Sequence, residues 1–366
     1  MTKTIKKIGV LTAGGDCPGL NAVIRAVTKT AINRYGLQVM GIEDGFAGLI
    51  HNRIRPIEYN DVSNILTQGG TVLGSNNKAD PKRWPKKNAD GSLEFIDVTP
   101  RCLDHILDRQ LDAIIVIGGD GSMTVASGLL DHGINCIGVP KTIDNDLVGT
   151  DITFGFSTAV HVASSALDRV HTTAASHHRA MVVEVMGRNA GWLALHAGVA
   201  SGADVILIPE IEYDIDLISQ YLHDRSKRGK RFSIICVSEG AKAKGGEQVV
   251  ARRVETSVES VRLGGVGQVV AQQIEDETGI ETRAIILGHV QRGGTPTADD
   301  RVLATQFGHA AMELLMSGAT GRLVVQKDGQ LGDFDMREVA NKQRTVTLDA
   351  PLVIAARDLG TNFGDQ

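Results

Sequence analysis

Short apolar runs recur along this chain, each closed by glycine and followed by a longer amphipathic stretch. Residues 8–12 lead into Gly14-Gly15-Asp16 and a helical pattern from about Leu20 to Asn33. Residues 112–117 (DAIIVI) lead into Gly118-Gly119-Asp120-Gly121-Ser122 and a helical pattern to about Asp131. Further strand-like runs lie at 37–42, 134–139, 181–185, 204–208, 232–237 and 283–287. Continuous apolar runs of this length mark strands buried on both faces, and the helical stretches between them mark βαβ units. The pattern predicts an α/β fold with mostly parallel sheets. In such sheets ligands sit at the carboxyl ends of the strands, so the glycine turns are where chemistry is expected.

Two segments break the rhythm. Residues 76–92 (NNKADPKRWPKKNADGS) are polar and read as a solvated loop, or as a basic loop over an anionic ligand. Residues 241–268 are rich in Lys, Arg and Gly with no apolar stripe until about Val266, and read as a surface insertion. No fixed-period repeat or low-complexity tail is present.

The length, 366 residues, suits two lobes of roughly 100–200 residues each. A net charge of −5 argues against a chain whose task is gripping nucleic acid or an acidic membrane, and aromatics at 4% leave few platforms for stacked bases. Cys17, Cys102, Cys136 and Cys236 form no C-x-x-C pair, so reduced thiols are expected rather than zinc or disulfides. No run approaches 18 apolar residues, and the N-terminal apolar stretch is too short for a signal segment. A cytoplasmic protein is the expectation.

Several nucleotide signatures are missing: there is no G-x-x-x-x-G-K-[ST], no G-x-G-x-x-G after a strand, and no protein-kinase or hydrolase-elbow motif. Phosphate recognition must then use other turns. Gly14–Asn21 and Gly118–Ser122 both join a strand to a helix, where glycine amides and a helix N-terminus attract anions, and Asp120 is placed to hold Mg²⁺. A capped strand-to-helix junction has the same composition, so each turn alone leaves both readings open. Pro140-Lys141-Thr142-Ile143-Asp144-Asn145-Asp146 follows another strand. On an extended segment its two carboxylates share a side, one free to take a proton from a hydroxyl and the other to help hold a metal, with Lys141 adding positive charge. A capping turn has the same T-x-D-N-D composition, and alone the segment leaves both readings open. Arg188 of Met186-Gly187-Arg188 and Arg292 of Gly288–Gly294 supply cations after two more strands; His289 can donate to a phosphate or sugar oxygen, although a lone histidine is more often structural. Co-occurrence of these turns at strand ends is what points to phosphoryl chemistry.

GGDCPGLNAVIR, GGDGS, PKTIDND, VVEVMGR and ETRAIILGHVQRGG stand in one order over residues 5–325, and in them the chain resembles the phosphofructokinases. GGDG is shared with NAD and lipid kinases; PKTIDND followed by MGR and GHVQRGG is not. The resemblance implies two Rossmann-like lobes with the active site in the cleft between them. A nucleotide lobe would span 1–150 plus about 290–325, and a fructose 6-phosphate lobe 151–289 plus the C-terminal segment. It implies transfer of a phosphoryl group to O1 of fructose 6-phosphate, with Asp144 as base and Thr142 and Arg188 beside the transferring group. Asp120 and Asp146 would serve Mg²⁺. Gly15, Asn77, Lys78, Gly119, Asp120, Gly121, Ser122 and Lys141 would meet the donor. Arg179, Met186, Gly187, Arg188, Glu239, Arg283, His289 and Arg292 would hold the sugar phosphate, with Arg179 and Arg283 lent across the interface of a homodimer or homotetramer.

The donor is the open point. Gly121 resembles the ATP users, since pyrophosphate users usually place Asp there; Lys141 resembles the pyrophosphate users. Steric exclusion by Asp is the stronger veto, so ATP is expected, with pyrophosphate as the alternative donor. Asn77 stands where many members carry arginine, and Lys78 is the candidate substitute. A non-catalytic sugar-phosphate-binding subunit would be expected to lose Asp120, Asp144 or Asp146, and all three are present. No effector site carries over, because His171 replaces an expected arginine although Arg25, Lys227, Arg228 and Lys230 offer charge.

Overall fold

The computed structural model describes residues 5–253, 261–340 and 342–366. In chain order the strands are β1 (Lys7–Thr12), β2 (Gln38–Ile42), β3 (Ile54–Pro56), β4 (Trp84–Lys87), β5 (Leu93–Ile96), β6 (Ala113–Gly118), β7 (Asn135–Thr142), β8 (Phe154–Gly155), β9 (Ala180–Val185), β10 (Val205–Leu207), β11 (Ser233–Ser238), β12 (Val250–Arg253), β13 (Val261–Leu263), β14 (Thr282–Ile286), β15 (Arg322–Lys327) and β16 (Gln330–Asp335). The helices used below are α1 (Leu20–Tyr35), α2 (Phe46–His51), α3 (Thr99–Asp108), α4 (Asp120–Leu130), α5 (Phe156–His177), α6 (Trp192–Ala200), α7 (Ile215–Lys227), α8 (Val266–Thr278) and α9 (Ala298–Met316).

The apolar runs become the centres of two sheets. One has the order β16-β15-β7-β6-β1-β2-β3, with β8 paired to the end of β7; the other has the order β10-β11-β9-β14. The second is parallel throughout, and the first is parallel except where β3 and β16 pair at its edges. Every residue of β6, β9 and β11 is buried, as helices on both faces require. One face of the first sheet packs α1 against α9 around Val23, Val27, Phe307 and Ala311, and the other packs α2, α3 and α4. Phe307 is fully buried. The second sheet lies between α5 and α6 on one side and α7 and α8 on the other.

Three connections join the halves. Helix α5 leads out of β8 to β9, α9 leads back to β15, and after β16 the chain returns so that Val353 and Phe363 enter the core of the second sheet. Among the described residues no helix is long and apolar enough to cross a membrane.

Within both irregular segments, the described residues form more regular structure than the sequence pattern conveys. Residues 84–96 form the β4–β5 hairpin rather than a plain loop, held by Lys86–Glu94 at 3.5 Å and by Arg83 stacked 4.7 Å from the Phe95 ring centroid. Side chains pairing across strands supply order that a one-dimensional reading of polarity misses. Residues 241–268 contain the β12–β13 hairpin, which faces the cleft and is not purely a surface insertion; 254–260 lie outside the described residues.

Candidate active site

A cleft of about 530 Å³ opens where the carboxyl ends of β1, β6 and β7 face those of β9, β11 and β14. From the first sheet come Gly14, Gly15 and Asp16, then Gly119, Asp120, Gly121 and Ser122, then Lys141, Thr142, Asp144 and Asp146. From the second come Met186, Arg188, Glu239, His289 and Arg292.

The first turn leaves β1 and enters α1 through Gly19, whose φ of 105° is left-handed. A side chain at Gly15 would collide with the Arg292 guanidinium, so glycine lets a cation of the second half lie on the turn of the first. The second turn starts α4 with Asp120, whose carboxylate accepts from the Gly121 amide at 2.7 Å. At Gly121 the opposite condition holds. Apart from its chain neighbours and the backbone of its own helix, no protein atom lies within 4 Å of where a Cβ would stand, and its φ is not among the positive ones. Nothing in the chain itself requires glycine there; what glycine leaves is room in the cleft.

Lys141 is buried and donates from Nζ to the Gly15 carbonyl at 2.5 Å. Burial pushes its ammonium below the ordinary lysine pKa and Arg292 adds to this, while Asp16 and Asp120 pull the other way. Beyond Thr142 the chain does not stay extended. Asn145 has φ 52°, so Asp144 and Asp146 share the cleft because of a turn, not because of strand periodicity. The turn is braced from within: the Asp144 amide donates to Thr142 Oγ1 at 3.1 Å, and Thr142 Oγ1 donates to Asp146 Oδ1 at 3.3 Å. It is also braced from far along the chain, since the Arg344 amide donates to the Asp146 carbonyl at 2.7 Å and its guanidinium to the Asn145 carbonyl at 2.8 Å. Burial, then the charges of Asp144 and Asp120, raise the Asp146 carboxyl to about 7.

Among the described residues no three His, Cys, Asp or Glu side chains close into a ready metal cage. Asp120 and Asp146 still fit Mg²⁺. They are hard oxygen donors, and the crowding that raises Asp146 is negative charge that a cation would relieve. Mg²⁺ commonly fills the rest of its shell with water and substrate phosphate.

On the second sheet's side, the Met186 amide donates to Gln291 Oε1 at 3.4 Å, and Arg188 Nη1 donates to the Val261 carbonyl of β13 at 2.9 Å. Gly187, at φ 125°, does not line the cleft; its carbonyl accepts from Ser238 Oγ and from the Gly240 amide, and so it holds the β9 and β11 turns together. Asn77 reaches the cleft and Lys78 does not. Arg179 and Arg283 also lie outside it, both paired with Glu281, at 2.7 and 2.6 Å. Among the polar lining residues, Asn189, Arg252, Arg262 and Gln343 were given no role from the sequence, and Asp16 was read only as part of the first glycine turn. Asn189 directly follows a motif and could have been found there. Gln343 stands far from every motif and carried no signal.

The model of the phosphofructokinase family matches residues 7–315. The chain is 46% identical to the ATP-dependent 6-phosphofructokinase 2 of Clostridium perfringens over 366 residues, covering 100% of both chains. It is equally, at 46%, identical to the pyrophosphate–fructose 6-phosphate 1-phosphotransferase of Amycolatopsis methanolica, over 93% of this chain and 96% of that one. Among solved structures, phosphofructokinase from Saccharomyces cerevisiae superposes with a TM-score of 0.76 at 31% identity, over 91% of this chain and 45% of the longer yeast chain. The strand-end cleft, the ordered motifs inside it and these full-length similarities agree, and the chain belongs to the phosphofructokinase family.

Proposed function

We propose that this chain is an ATP- and Mg²⁺-dependent 6-phosphofructokinase, converting fructose 6-phosphate to fructose 1,6-bisphosphate in glycolysis in the cytoplasm. The observation that carries the donor assignment is the open space at Gly121, in the first turn of α4. A nucleotide has an α-phosphate and a nucleoside to accommodate beyond the reacting phosphates, and the room at 121 serves them. Lys141 and the similarity to the Amycolatopsis enzyme favour the second reading, pyrophosphate as donor. Against it, Lys141 directs its ammonium to the Gly15 carbonyl and has no atom within 4 Å of the Gly121 Cβ position.

In this reading Asp144 accepts the proton of the sugar's 1-hydroxyl as that oxygen attacks the terminal phosphorus, and the bond to the leaving phosphate breaks in line. Thr142 and Arg188 flank the transferring group, Arg188 countering its charge. Gly15, Gly119, Gly121 and Ser122 line the donor phosphates, with Asn77 and Lys141 nearby. Met186, Glu239, His289 and Arg292 hold the sugar phosphate, and Gly187 shapes the loop that presents Met186 and Arg188. Asp120 and Asp146 would hold Mg²⁺, which when bound neutralises charge on the donor phosphates. Catalysis here rests on positioning and electrostatics rather than covalent chemistry. The nucleotide lobe is 1–150 with about 290–325, and the sugar lobe is 151–289 with the C-terminal segment.

We further propose a homo-oligomer, dimer or tetramer, in which Arg179 and Arg283 reach a neighbour's sugar phosphate. Their half-exposed position outside this chain's own cleft supports it.

Gly121→Asp tests the donor assignment. Like charges about 4–8 Å apart in a partly screened cleft repel by roughly 2–4 kcal/mol, so kcat/KM for ATP is expected to fall by about a hundredfold. Pyrophosphate should be spared. An ATP rate unchanged by the substitution would sink the role given to Gly121.

A further inference from the structure

The β12–β13 hairpin belongs to no motif of the two sheets, yet it brings two arginines into the cleft. Its strands are short, four and three residues, and a lone hairpin of that size is marginal in water. Here its base is pinned. Arg188 Nη1 donates to the Val261 carbonyl at 2.9 Å, and the Gly264 amide donates to the Val249 carbonyl at 3.3 Å. Just beyond, the amides of Gly265 and Gly267 donate to the buried carboxylate of Glu184 on β9, at 3.1 and 2.7 Å. Gln248 Nε2 closes the other side on the carbonyls of Arg188 and Gly240, at 3.0 and 3.1 Å.

The register within this anchored hairpin is unusual. Val250 pairs with Leu263 and Arg252 with Arg262, with a shift between Val250 and Arg252 that leaves Ala251 as an extra residue. Such a bulge re-aims the side chain after it and is common beside active sites. Directly opposed residues of an antiparallel pair project from the same face, and like charges in that relation destabilise it. Arg252 and Arg262 are opposed in this way, and both border the cleft across from the acidic turns of Asp120, Asp144 and Asp146. An anion between the two guanidinium groups turns that repulsion into attraction, and the planar fork of arginine matches phosphate oxygens.

We propose that Arg252 and Arg262 form a phosphate clamp: the bulged hairpin holds two opposed guanidinium groups over the cleft to grip one phosphate of a substrate. The clamp deepens the proposed function and rests on it for the identity of the substrates, not for the chemistry recognised. The phosphate gripped belongs either to the donor or to the 6-position of the sugar, and the two sources part in the experiment.

Arg252→Ala, Arg262→Ala and the double variant are made in the full chain, with a double Arg→Lys variant beside them. Binding of ADP and of fructose 6-phosphate is measured separately by calorimetry, together with kcat and KM for each substrate. The clamp predicts that the double alanine variant weakens one of the two ligands by about tenfold or more while the other holds. Partial recovery is expected in the lysine variant, which keeps charge but loses the fork. Loss confined to ADP places the donor phosphate in the clamp, and loss confined to fructose 6-phosphate places the sugar's. Unchanged binding of both in a folded double variant overturns the proposal. Should the enzyme show no phosphofructokinase activity, inorganic phosphate binding followed by ³¹P NMR still decides: the clamp requires weaker binding in the double variant, and equal binding contradicts it.

Discussion

Asp146 shows how far one carboxyl can be moved by its surroundings. Burial and the neighbouring charges of Asp144 and Asp120 raise it to about 7, whereas in the unfolded chain it titrates in the ordinary carboxylate range. The folded protein therefore binds this proton more tightly than the unfolded one. Stability from the group is complete below the ordinary range and is lost as pH rises through about 7. Without divalent cation, melting temperature should fall over that window, and Asp146→Asn should flatten the fall. Mg²⁺ competes with the proton, so its apparent affinity should rise with pH through about 7 in the wild type. A melting profile identical in wild type and Asp146→Asn would refute this account of the site. The acidic residues themselves were legible because acid-rich turns after apolar runs are rare. Their relation was only partly legible: period-two spacing on an extended segment and a capping turn both fitted the residues, and the left-handed Asn145 makes it a turn.

At the scale of elements, the strand that leads into the Thr142–Asp146 turn is tied to a carboxylate outside it. Asp300 in α9 is buried and accepts from the Gly155 amide at 2.8 Å, the Thr158 amide at 2.7 Å and the Thr158 hydroxyl at 2.5 Å. It caps α5, whose N-cap residue, Gly155, has no side chain to do so. Through Gly155 it also fixes β8, which pairs with Lys141 and Thr142 at the end of β7. Asp300→Ala leaves three donors without their acceptor and should lower stability by about 2–4 kcal/mol. It should also reduce kcat by about tenfold well below the melting transition, because the strand carrying Thr142 loses its brace. Full kcat at low temperature would show that β8 is held without Asp300. Sequence spacing gave no hint of this tie, since a residue capping a helix more than a hundred positions away leaves no local pattern. The β4–β5 and β12–β13 pairings were illegible for a related reason: cross-strand pairs form them, and polarity along the chain does not record pairs.

For the molecule as a whole, the α/β class with mostly parallel sheets was readable because a strand buried on both faces must be apolar throughout, whereas the division into two lobes came from the length and the family resemblance. The return of the C-terminal segment was less readable. Arg344 stacks 4.4 Å from the centroid of Trp192 on α6 while its backbone and side chain brace the Asp144–Asp146 turn, so one late residue ties the two halves together. The proposed oligomer is the assembly-scale counterpart. Arg179 and Arg283 form partly exposed pairs with Glu281 and Glu275, and Arg283 Nη1 also donates to the Thr282 carbonyl at 2.8 Å; solvent-screened pairs of this kind yield readily to a phosphate. If these arginines act on a neighbour, co-expressed Asp144→Asn and Arg283→Ala subunits should form hybrids with some intact sites and regain activity that neither parent has. A monomeric mass in solution, or no recovery in hybrids, would contradict the shared site.

The central claim, that a nucleotide donates to a sugar phosphate in this cleft, is tested most directly by initial rates of the wild-type enzyme with fructose 6-phosphate and Mg²⁺, comparing ATP with pyrophosphate. The account predicts turnover to fructose 1,6-bisphosphate with ATP and little or none with pyrophosphate. Turnover with pyrophosphate in place of ATP would contradict it, and would mean that Lys141 rather than the space at Gly121 sets the donor.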